Sequence, residues 1–269
     1  MNNNFQLSDI FPSVKNECEV RSILDTDMYK FMMLDFILAN DDLRDIDVTW
    51  KMKVRSKDVK TAEVIPMDDL INQLELTKRL NKITDEEYDF LKSQKLVDRQ
   101  LFSQDTLDFL SNFKLSDYKI WVDETWNYEL EFFWPWQNSM MWEIYWLKII
   151  NSLYLKNYIL KDNLASNQIN QIINETLKRL YEDIEIFKNS PNFKFSEFWT
   201  RRAMSAPFQE LVYQTILQEI PSNCIWSSNV HLSRLFWTKP IWTNAHELRM
   251  IPTALFDTKQ EIIDTMYDI

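Results

Sequence analysis

Three short polar runs in the second half of the chain have residue types that bind anions. Each run follows an apolar segment: Thr200, Arg201 and Arg202 follow FKFSEFW, Ser227, Ser228 and Asn229 follow CIW, and Thr243, His246 and Glu247 follow KPIW. Hydroxyl and amide groups at the start of a helix bind phosphate readily, and paired arginines supply positive charge. Together the three runs predict an anion-binding site.

Each run also has a structural explanation when it is taken alone. An Arg-Arg pair is more often a solvated surface feature, Ser-Ser-Asn is usually a helix cap, and a single histidine is more often structural than catalytic. The recurrence of the runs favours binding, because ligands in α/β folds lie at the carboxyl ends of strands. We interpret His231, which follows a predicted cap, as a surface residue.

The elements that must position these runs alternate between strand and helix, which predicts a parallel sheet. We predict strands at 193–198, 224–225 and 240–241, and helices at 163–188, from 207, near 230 and at 259–267. Another helix begins near Ser139 and has apolar residues every four positions at Met141, Tyr145, Ile149 and Leu153. We expect this helix to be nearly buried.

The first half of the chain has a different pattern. A helix is predicted at 23–39, where Asp-Thr-Asp caps the first turn, and alternating apolar residues predict a strand at 47–55. Helices follow at 67–80, 85–94 and 104–113, and strands at 118–122 and 128–133, with Pro135 at the end of the last strand. The pattern changes near 133–138, so we divide the chain into domains at 1–133 and 134–269.

Charge and hydropathy exclude several classes of partner. The net charge of −11 and the pI of about 4.8 argue against nucleic acid or an anionic membrane surface, because both need a basic face. The most apolar stretch, 139–160, is interrupted by Glu143, Lys148 and Lys156 and does not qualify as a membrane span. No signal peptide precedes it, and Cys18 and Cys224 lack disulfide or metal-ligand spacing. We therefore expect a cytoplasmic protein.

The composition has one anomaly. The chain contains no glycine and 11 tryptophans. At the average usage of about 7 %, a chain of this length would contain roughly 19 glycines. Tryptophan is the least suitable replacement for a residue that is used because it has no side chain.

Five segments resemble, in order and at fitting spacings, the motifs of the nicotinate phosphoribosyltransferase family. They are ILDTDMYKFMM, WPWQNSMMWEIYWLKIINSLY, FWTRRAMSAPFQE, CIWSSNVHLSR and KPIWTNAHE, and they extend from about residue 23 to residue 247. The resemblance implies an α/β fold class, with an N-terminal α+β domain packed on the first part of an irregular α/β barrel of the type II phosphoribosyltransferases.

The resemblance also implies a reaction of NAD salvage. The pyridine nitrogen of nicotinate attacks the anomeric carbon of phosphoribosyl pyrophosphate, and pyrophosphate leaves through an oxocarbenium-like transition state. The implied partners are nicotinate, phosphoribosyl pyrophosphate and the co-substrate ATP, and the implied cofactor is Mg²⁺. In the family pattern, Arg201 and Arg202 act with Mg²⁺ on the developing phosphate charge. His246 matches the histidine that ATP phosphorylates, with Glu247 as the group that orients its imidazole.

The substrate-binding set that the motifs imply surrounds the nicotinate ring and the phosphates. Tyr29 matches the aromatic residue that stacks on the ring, and none of the set is assigned as a metal ligand. The full set is Asp27, Tyr29, Thr200, Arg201, Arg202, Ser227, Ser228, Asn229 and Thr243.

The family has glycine at several positions where this chain has tryptophan. These positions are Trp126, Trp134, Trp199, Trp226 and Trp242, with a further family glycine near Trp237. By contrast, Trp136 and Trp142 match family tryptophans. We hypothesise that the gene uses UGA for glycine and that UGA was translated as tryptophan, and the alternative is deliberate removal of glycine by design. If the tryptophans are real, indoles would fill the phosphate site and we predict no activity.

The chain departs from the family pattern in two further respects. Ala203 and Met204 stand where the family usually has another basic residue and an aromatic one, and Ser227 replaces a threonine. The chain also stops at Ile269, whereas the family continues through further barrel strands. The resemblance also implies active sites near a dimer interface. We therefore expect a homodimer or completion by a missing C-terminal segment.

Three alternatives remain open at this point. The first is an inactive fragment of the enzyme, and the second is a related phosphoribosyltransferase that acts on nicotinamide or quinolinate. The third is a tryptophan-rich sugar-binding module, because aromatic side chains can form platforms for sugars.

Overall fold

The structure is a computed structural model that describes residues 7–11, 16–55, 58–161 and 166–255. Its helices are α1 (Leu7–Ile10), α2 (Met28–Ala39), α3 (Thr61–Val64), α4 (Met67–Lys78), α5 (Asp85–Ser93), α6 (Gln104–Leu110), α7 (Trp136–Ser139), α8 (Trp142–Lys161), α9 (Ser166–Lys188), α10 (Ala206–Glu219), α11 (Val230–Leu235) and α12 (Glu247–Leu255). Its strands are β1 (Asp47–Met52), β2 (Lys95–Leu96), β3 (Arg99–Gln100), β4 (Tyr118–Val122), β5 (Tyr128–Pro135), β6 (Phe195–Glu197) and β7 (Cys224–Ser227).

The first large sheet is antiparallel and has the strand order β1-β5-β4. β5 lies in the centre, where Phe132 is opposite Trp50 of β1 and also opposite Tyr118 of β4. Exposed and partly buried side chains alternate along β1, as the period-two pattern predicts. This sheet forms one wall of the candidate site described below.

The second half contains a strand, a helix and a parallel strand. β6 and β7 pair in parallel, with Phe195 opposite Cys224, and α10 connects them. The alternation of strand and helix predicted this arrangement, because parallel neighbours need a crossover connection. The strand predicted at 240–241 is reduced to one bridge between Pro240 and Ser227.

Two apolar cores are buried. The first contains side chains of α2, β5 and the first half of α8, among them Phe31 and Trp142. The second joins α1, α9 and α10 and includes Tyr213. The cores meet along α8, because Leu153 belongs to the first and Leu155 packs against the second. The domain division at 133 and 134 stays a prediction, and α8 contributes to both cores.

The start of α2 differs from its prediction for an identifiable reason. α2 begins at Met28 rather than at residue 23, because residues 22–26 form turns and bends and Asp27 pairs with the segment after β7. There Asp27 forms a bridge to Asn229, and the carbonyl of Thr26 accepts from Val230 N–H at 3.0 Å. The sequence pattern did not predict α12, and the helix predicted at 259–267 lies outside the described residues.

Five described residues have a positive φ, although none of them is glycine. They are Asp45 at 61°, Val97 at 57°, Trp126 at 60°, Trp134 at 113° and Trp237 at 54°. This region is uncommon for residues with a side chain. Three of the five are tryptophans at positions where the family pattern has glycine.

His231 is buried, so its interpretation as a surface residue is wrong. It is 9 % exposed, and its Nδ1 atom lies 3.3 Å from the Ser22 hydroxyl. Burial lowers the pKa of His231 to about 4, although Asp25 opposes this shift. The helix that follows the cap packs inward, because its backbone pairs with the segment before α2.

Two other sequence expectations concern membranes and cysteines. None of the helices in the described ranges combines the length and the apolar composition that a membrane span requires. Cys18 and Cys224 are both free thiols.

Candidate functional site

A cavity of about 440 Å³ lies between the first sheet, the start of α8 and the segment that leads into α12. Its lining includes Tyr29, Arg201, Thr243, His246 and Glu247, all of which the sequence analysis selected. These residues come from widely separated parts of the chain. The fold therefore gathers the aromatic, cationic and histidine groups of the predicted site around one space.

The start of α2 is fixed against the segment after β7. Met28 N–H donates to the Ser228 carbonyl at 2.7 Å, and the Ser228 hydroxyl donates to Asp27 Oδ1 at 2.8 Å. Ser228 N–H in turn donates to the carbonyl of Glu197 at the end of β6, also at 2.8 Å. Asp27 and Ser228 thereby position Tyr29, in the first turn of α2, at the cavity.

Ser227, Ser228 and Asn229 are fully buried, and their side chains bind other protein groups. The Ser227 hydroxyl donates to the Glu197 carboxylate. The Asn229 amide donates to Asp25 Oδ1 at 2.8 Å, and its oxygen caps α11 by accepting a backbone N–H at 3.0 Å. None of the three lines the cavity, so they hold the junction together in this structure.

In the run from Thr200 to Arg202, only Arg201 reaches the cavity. Arg201 Nη1 lies 3.2 Å from Glu143 Oε1, and Arg201 Nε lies 3.9 Å from Asp27 Oδ2. Arg202 is exposed and does not line the cavity. Thr200 is 1 % exposed, and its hydroxyl has no hydrogen-bond partner among the described residues.

Tyr29 presents a neutral aromatic ring to the cavity. Its hydroxyl donates to Glu143 Oε2 at 3.3 Å, and the Lys30 ammonium lies 5.5 Å from its ring centroid. Burial raises the pKa of Tyr29 well above its ordinary value, so the phenol stays protonated at neutral pH. A half-buried neutral ring of this kind suits stacking on another flat ring.

His246 and Glu247 lie at the N-terminus of α12 and face different surroundings. His246 and Thr243 are both exposed at the cavity. The carbonyl of His246 accepts two backbone N–H groups of α12 at 3.0 and 3.1 Å. Glu247 is buried, with Oε2 at 2.5 Å from Lys30 Nζ and Oε1 at 2.6 Å from Trp136 Nε1. Both carboxylate oxygens of Glu247 are therefore bound to Lys30 and Trp136 rather than to the imidazole.

Lys30, Glu143 and Trp136 are parts of the site that the sequence analysis did not select. The Lys30 side chain is 0 % exposed and pairs with both Glu143 and Glu247. A signal was present, because Lys30 and Glu143 are charged residues inside helices with apolar neighbours on both sides. Buried charges of this kind are rare unless they are paired.

The wall formed by β1 and the segment after it adds positive charge. Lys51 and Arg55 line the cavity, and Lys51 also pairs with Glu129 at 2.9 Å. Arg55 forms no ion pair with a described residue. The indole N–H of Trp50, which lines the same wall, has no partner within the described part of the chain. Cations and a free donor suit an anionic ligand.

The cavity does not provide a protein-held metal site. Within the described residues, no cluster of three or more His, Cys, Asp or Glu side chains is placed to hold a metal ion. The carboxylates of Glu143 and Glu247 are already bound by Lys30, and Glu143 is bound by Arg201 as well. The residues present therefore do not fit Mg²⁺ held by protein carboxylates.

Comparison with protein-family models gives two matches. Residues 24–151 match the nicotinate phosphoribosyltransferase N-terminal domain, and residues 193–264 match the nicotinate phosphoribosyltransferase family. The first match contains Asp27, Tyr29 and Glu143, and the second contains Arg201 and His246. The two matches therefore cover both sides of the cavity.

Solved structures of similar fold include two nicotinate phosphoribosyltransferases. The structure from Vibrio cholerae has a TM-score of 0.72 and 19 % identity, and the alignment covers 97 % of this chain and 58 % of that one. The structure from Porphyromonas gingivalis has a TM-score of 0.71 and 20 % identity, with 92 % and 59 % covered. This chain thus has a partial type II phosphoribosyltransferase fold and spans under two thirds of these proteins. From the family models and the shared fold, we conclude that the chain belongs to the nicotinate phosphoribosyltransferase family.

Proposed function

We propose that this chain forms the nicotinate-binding part of an enzyme that joins nicotinate to phosphoribosyl pyrophosphate. The observation that carries the proposal is the convergence of Tyr29, Arg201 and His246 on one cavity from three separate segments. A stacking ring, a guanidinium and a potential nucleophile are the groups that a pyridine, a phosphate and a phosphoryl donor require.

In this proposal Tyr29 stacks on the pyridine ring and Arg201 binds phosphate charge. The two are coupled through Glu143, whose Oε2 accepts from Tyr29 and whose Oε1 lies beside Arg201. Burial opposes ionisation of Glu143, but Lys30 and Arg201 lower its pKa below the ordinary value. Glu143 is therefore ionised at neutral pH and fixes both the phenol and the guanidinium at the cavity wall.

His246 is proposed to accept the phosphoryl group of ATP on its imidazole. Its position supports this role, because a phosphate on His246 would lie at the N-terminus of the nine-residue helix α12. The free N–H groups and the dipole of a helix N-terminus favour negative charge. Glu247, which is committed to Lys30 and Trp136, is proposed to fix the start of α12 beneath His246.

Mg²⁺ and ATP are further proposals. Because the cavity carboxylates are already paired, we propose that Mg²⁺ enters on substrate phosphates, as it does in many phosphate-binding sites. We further propose a cytoplasmic homodimer, or completion of the barrel by additional chain. Equilibrium sedimentation would test the dimer, since a monomer has a mass of 32.6 kDa. A monomer at micromolar concentration would contradict it.

Calorimetric titration with nicotinate tests the proposed function. We expect nicotinate to bind, and Tyr29→Ala to weaken binding about tenfold, because aromatic pairs contribute about 0.5–1.5 kcal/mol beyond area burial. Tyr181→Ala is the matched control, since Tyr181 lies on α9 and is 39 % exposed. Nicotinamide, quinolinate and simple sugars are titrated in parallel. Binding of one of these without nicotinate would support the corresponding alternative and contradict the proposal.

We also propose that the natural protein has glycine at Trp126, Trp134, Trp199, Trp226, Trp237 and Trp242. The geometry of Trp126 supports this. It is the last residue of the turn between β4 and β5, where its N–H donates to Asp123 at 3.1 Å and Asp123 N–H donates to Asn127 at 2.8 Å. A turn followed by a left-handed residue in a hairpin loop of this kind favours glycine.

Trp237 has an independent reason to be glycine. It follows the C-cap Phe236 of α11, and its N–H donates to Arg234 at 3.3 Å, while Thr238 N–H donates to Ser233 at 2.9 Å. This pair of hydrogen bonds is the Schellman motif, whose left-handed residue is usually glycine. Trp237 is also 88 % exposed, so its indole has no packing role that would explain it.

The remaining positions give unequal support. Trp134 has φ 113°, a value that few residues with a side chain adopt. Trp199, Trp226 and Trp242 have no positive φ, so their assignment depends on the family pattern alone. Mass spectrometry of the protein from its native host tests the proposal. Glycine at these positions with tryptophan at 136 and 142 is expected, and tryptophan at all of them would contradict it.

A further inference from the structure

Lys30 is an unusual residue because it is fully buried and yet carries a charge. It follows Tyr29 on α2, and its ammonium lies 2.8 Å from Glu143 Oε2 and 2.5 Å from Glu247 Oε2. Glu143 belongs to α8 and Glu247 to α12. One ammonium group thus joins three helices through two carboxylates that line the cavity.

The two carboxylates have different second partners. Glu143 contacts the groups proposed to bind the pyridine and the phosphate, which are Tyr29 at 3.3 Å and Arg201 at 3.2 Å. The other oxygen of Glu247 accepts from the Trp136 indole. Lys30 is therefore the link between the ring side of the cavity and the helix that directly follows His246.

The charged form of Glu247 depends on Lys30. Burial acts to lower the pKa of Lys30, but Glu247 and Glu143 outweigh burial and raise the pKa above the ordinary value. Burial raises the pKa of Glu247, and Lys30 is the strongest opposing influence. Without Lys30, Glu247 would be a buried carboxylate with only a neutral indole as partner.

We propose that Lys30 is a positioning residue that fixes the N-terminus of α12, and with it His246, relative to the ring side of the cavity. The inference deepens the proposed function and rests on it for the catalytic meaning of His246. Its route is specific: Lys30 acts on His246 through Glu247, since Lys30 pairs with the residue next to His246 along the chain.

The chain contains only two histidines, which makes a direct measurement possible. With histidine labelled by ¹³C and ¹⁵N, NMR shows one set of ring signals for His246 and one for His231. Lys148 provides the matched control, because its ammonium is also fully buried and pairs with Asp25 at 2.6 Å. Asp25 and Lys148 both act on the pKa of His231.

We expect Lys30→Met to move the His246 ring signals and leave those of His231 unchanged, and Lys148→Met to do the reverse. Lys30→Arg, which keeps the charge, is expected to leave His246 closer to the unmodified protein than Lys30→Met does. Unchanged His246 signals in folded Lys30→Met, or equal movement of His246 in Lys148→Met, would overturn the proposal. This readout needs no ligand, so a failure to bind nicotinate would count against the proposed function alone.

A second comparison covers the case in which Lys30→Met does not fold, as judged by circular dichroism. The double variant Lys30→Met/Glu247→Gln removes one charge of each sign and is compared with Glu247→Gln alone. Since Lys30 acts through Glu247, the double variant is expected to show the same His246 signals as the single one. A further displacement of these signals would contradict the route and with it the proposal.

Discussion

Tryptophans occupy two regions of this molecule that differ in burial and in backbone conformation. Around α7 and α8, Trp136 and Trp142 are fully buried, and Trp146 is 3 % exposed. In the turns and strand ends, Trp126, Trp134 and Trp237 are 58 %, 57 % and 88 % exposed and have positive φ. The first region needs large side chains, and the second needs a backbone with positive φ, which is unfavourable for residues that have a side chain.

The difference shows what each region selects. Trp142 stacks on Phe132 with ring centroids 5.0 Å apart, and its indole N–H donates to Ser116 at 3.1 Å. The buried area, the ring stacking and the hydrogen bond of Trp142 all depend on its indole. At Trp237 the indole contributes almost nothing, and the hydrogen bonds of the Schellman motif are made by the backbone alone. Replacing tryptophan should therefore lower the free energy of unfolding in the buried region and raise it in the exposed region.

The largest expected effect is in the buried region. Trp142→Ala should lower the free energy of unfolding by about 3–5 kcal/mol, because it removes a buried aromatic side chain and leaves a cavity. Urea denaturation followed by circular dichroism measures this. Trp121→Ala is the control, since Trp121 is only partly buried on β4. An equal loss in both variants would break the comparison.

Trp136→Phe sharpens the comparison at the site itself. It keeps the ring but removes the hydrogen bond to Glu247, and we expect a loss of about 1.5–3 kcal/mol near neutral pH. The loss should be smaller near pH 4. Burial raises the pKa of Glu247, so its contribution to stability is present at low pH and is lost as pH rises through the folded pKa. The hydrogen bond from Trp136 stabilises the ionised carboxylate and offsets part of that loss, so its removal has the larger effect at neutral pH. Thermal unfolding of both proteins over this pH range is the measurement, and a loss independent of pH would contradict the role of Trp136.

Trp134→Gly should raise the free energy of unfolding instead of lowering it. Relief of the strain at φ 113° is expected to exceed the entropy that glycine loses on folding, so stability should rise by about 1–2 kcal/mol. The rise is measured as an increase of the thermal midpoint. Trp121→Gly, at an extended strand position, should lower it. A fall in both variants would remove the distinction between the two regions.

Trp237→Gly should have the smallest effect, a gain of about 0.5–1 kcal/mol, because only the left-handed conformation is relieved. Urea denaturation measures it against Trp237→Ala as control, which keeps a Cβ atom and should gain little. Equal gains for glycine and alanine would indicate that removal of the exposed indole, rather than the backbone, is responsible.

Local sequence patterns predicted many of the elements but not the ends that depend on distant pairing. The strands at 118–122 and 128–133 and the helices at 67–80 and 85–94 agree with β4, β5, α4 and α5 to within two residues. The hairpin of β2 and β3 was missed, because its turn places Val97 at φ 57° without a glycine or asparagine signal. The start of α2 was placed too early, because the bridge between Asp27 and Asn229 joins segments far apart in sequence.

The candidate site could be predicted in outline and not in its internal pairing. Tyr29, Arg201 and His246 stand in motifs, and the structure brings them to one cavity. The pairing of Lys30 with Glu247 joins residues 217 positions apart, and no spacing rule reaches that distance. For the same reason, the sequence did not reveal that Ser227 and Asn229 bind Glu197 and Asp25.

The codons of the gene test most directly whether the two regions contain two different amino acids. We expect UGA at positions 126, 134, 199, 226, 237 and 242 and UGG at positions 136 and 142. That result would mean glycine in the turns and strand ends and tryptophan in the buried region. UGG at all eight positions would mean tryptophan in both regions, and it would contradict the glycine assignment.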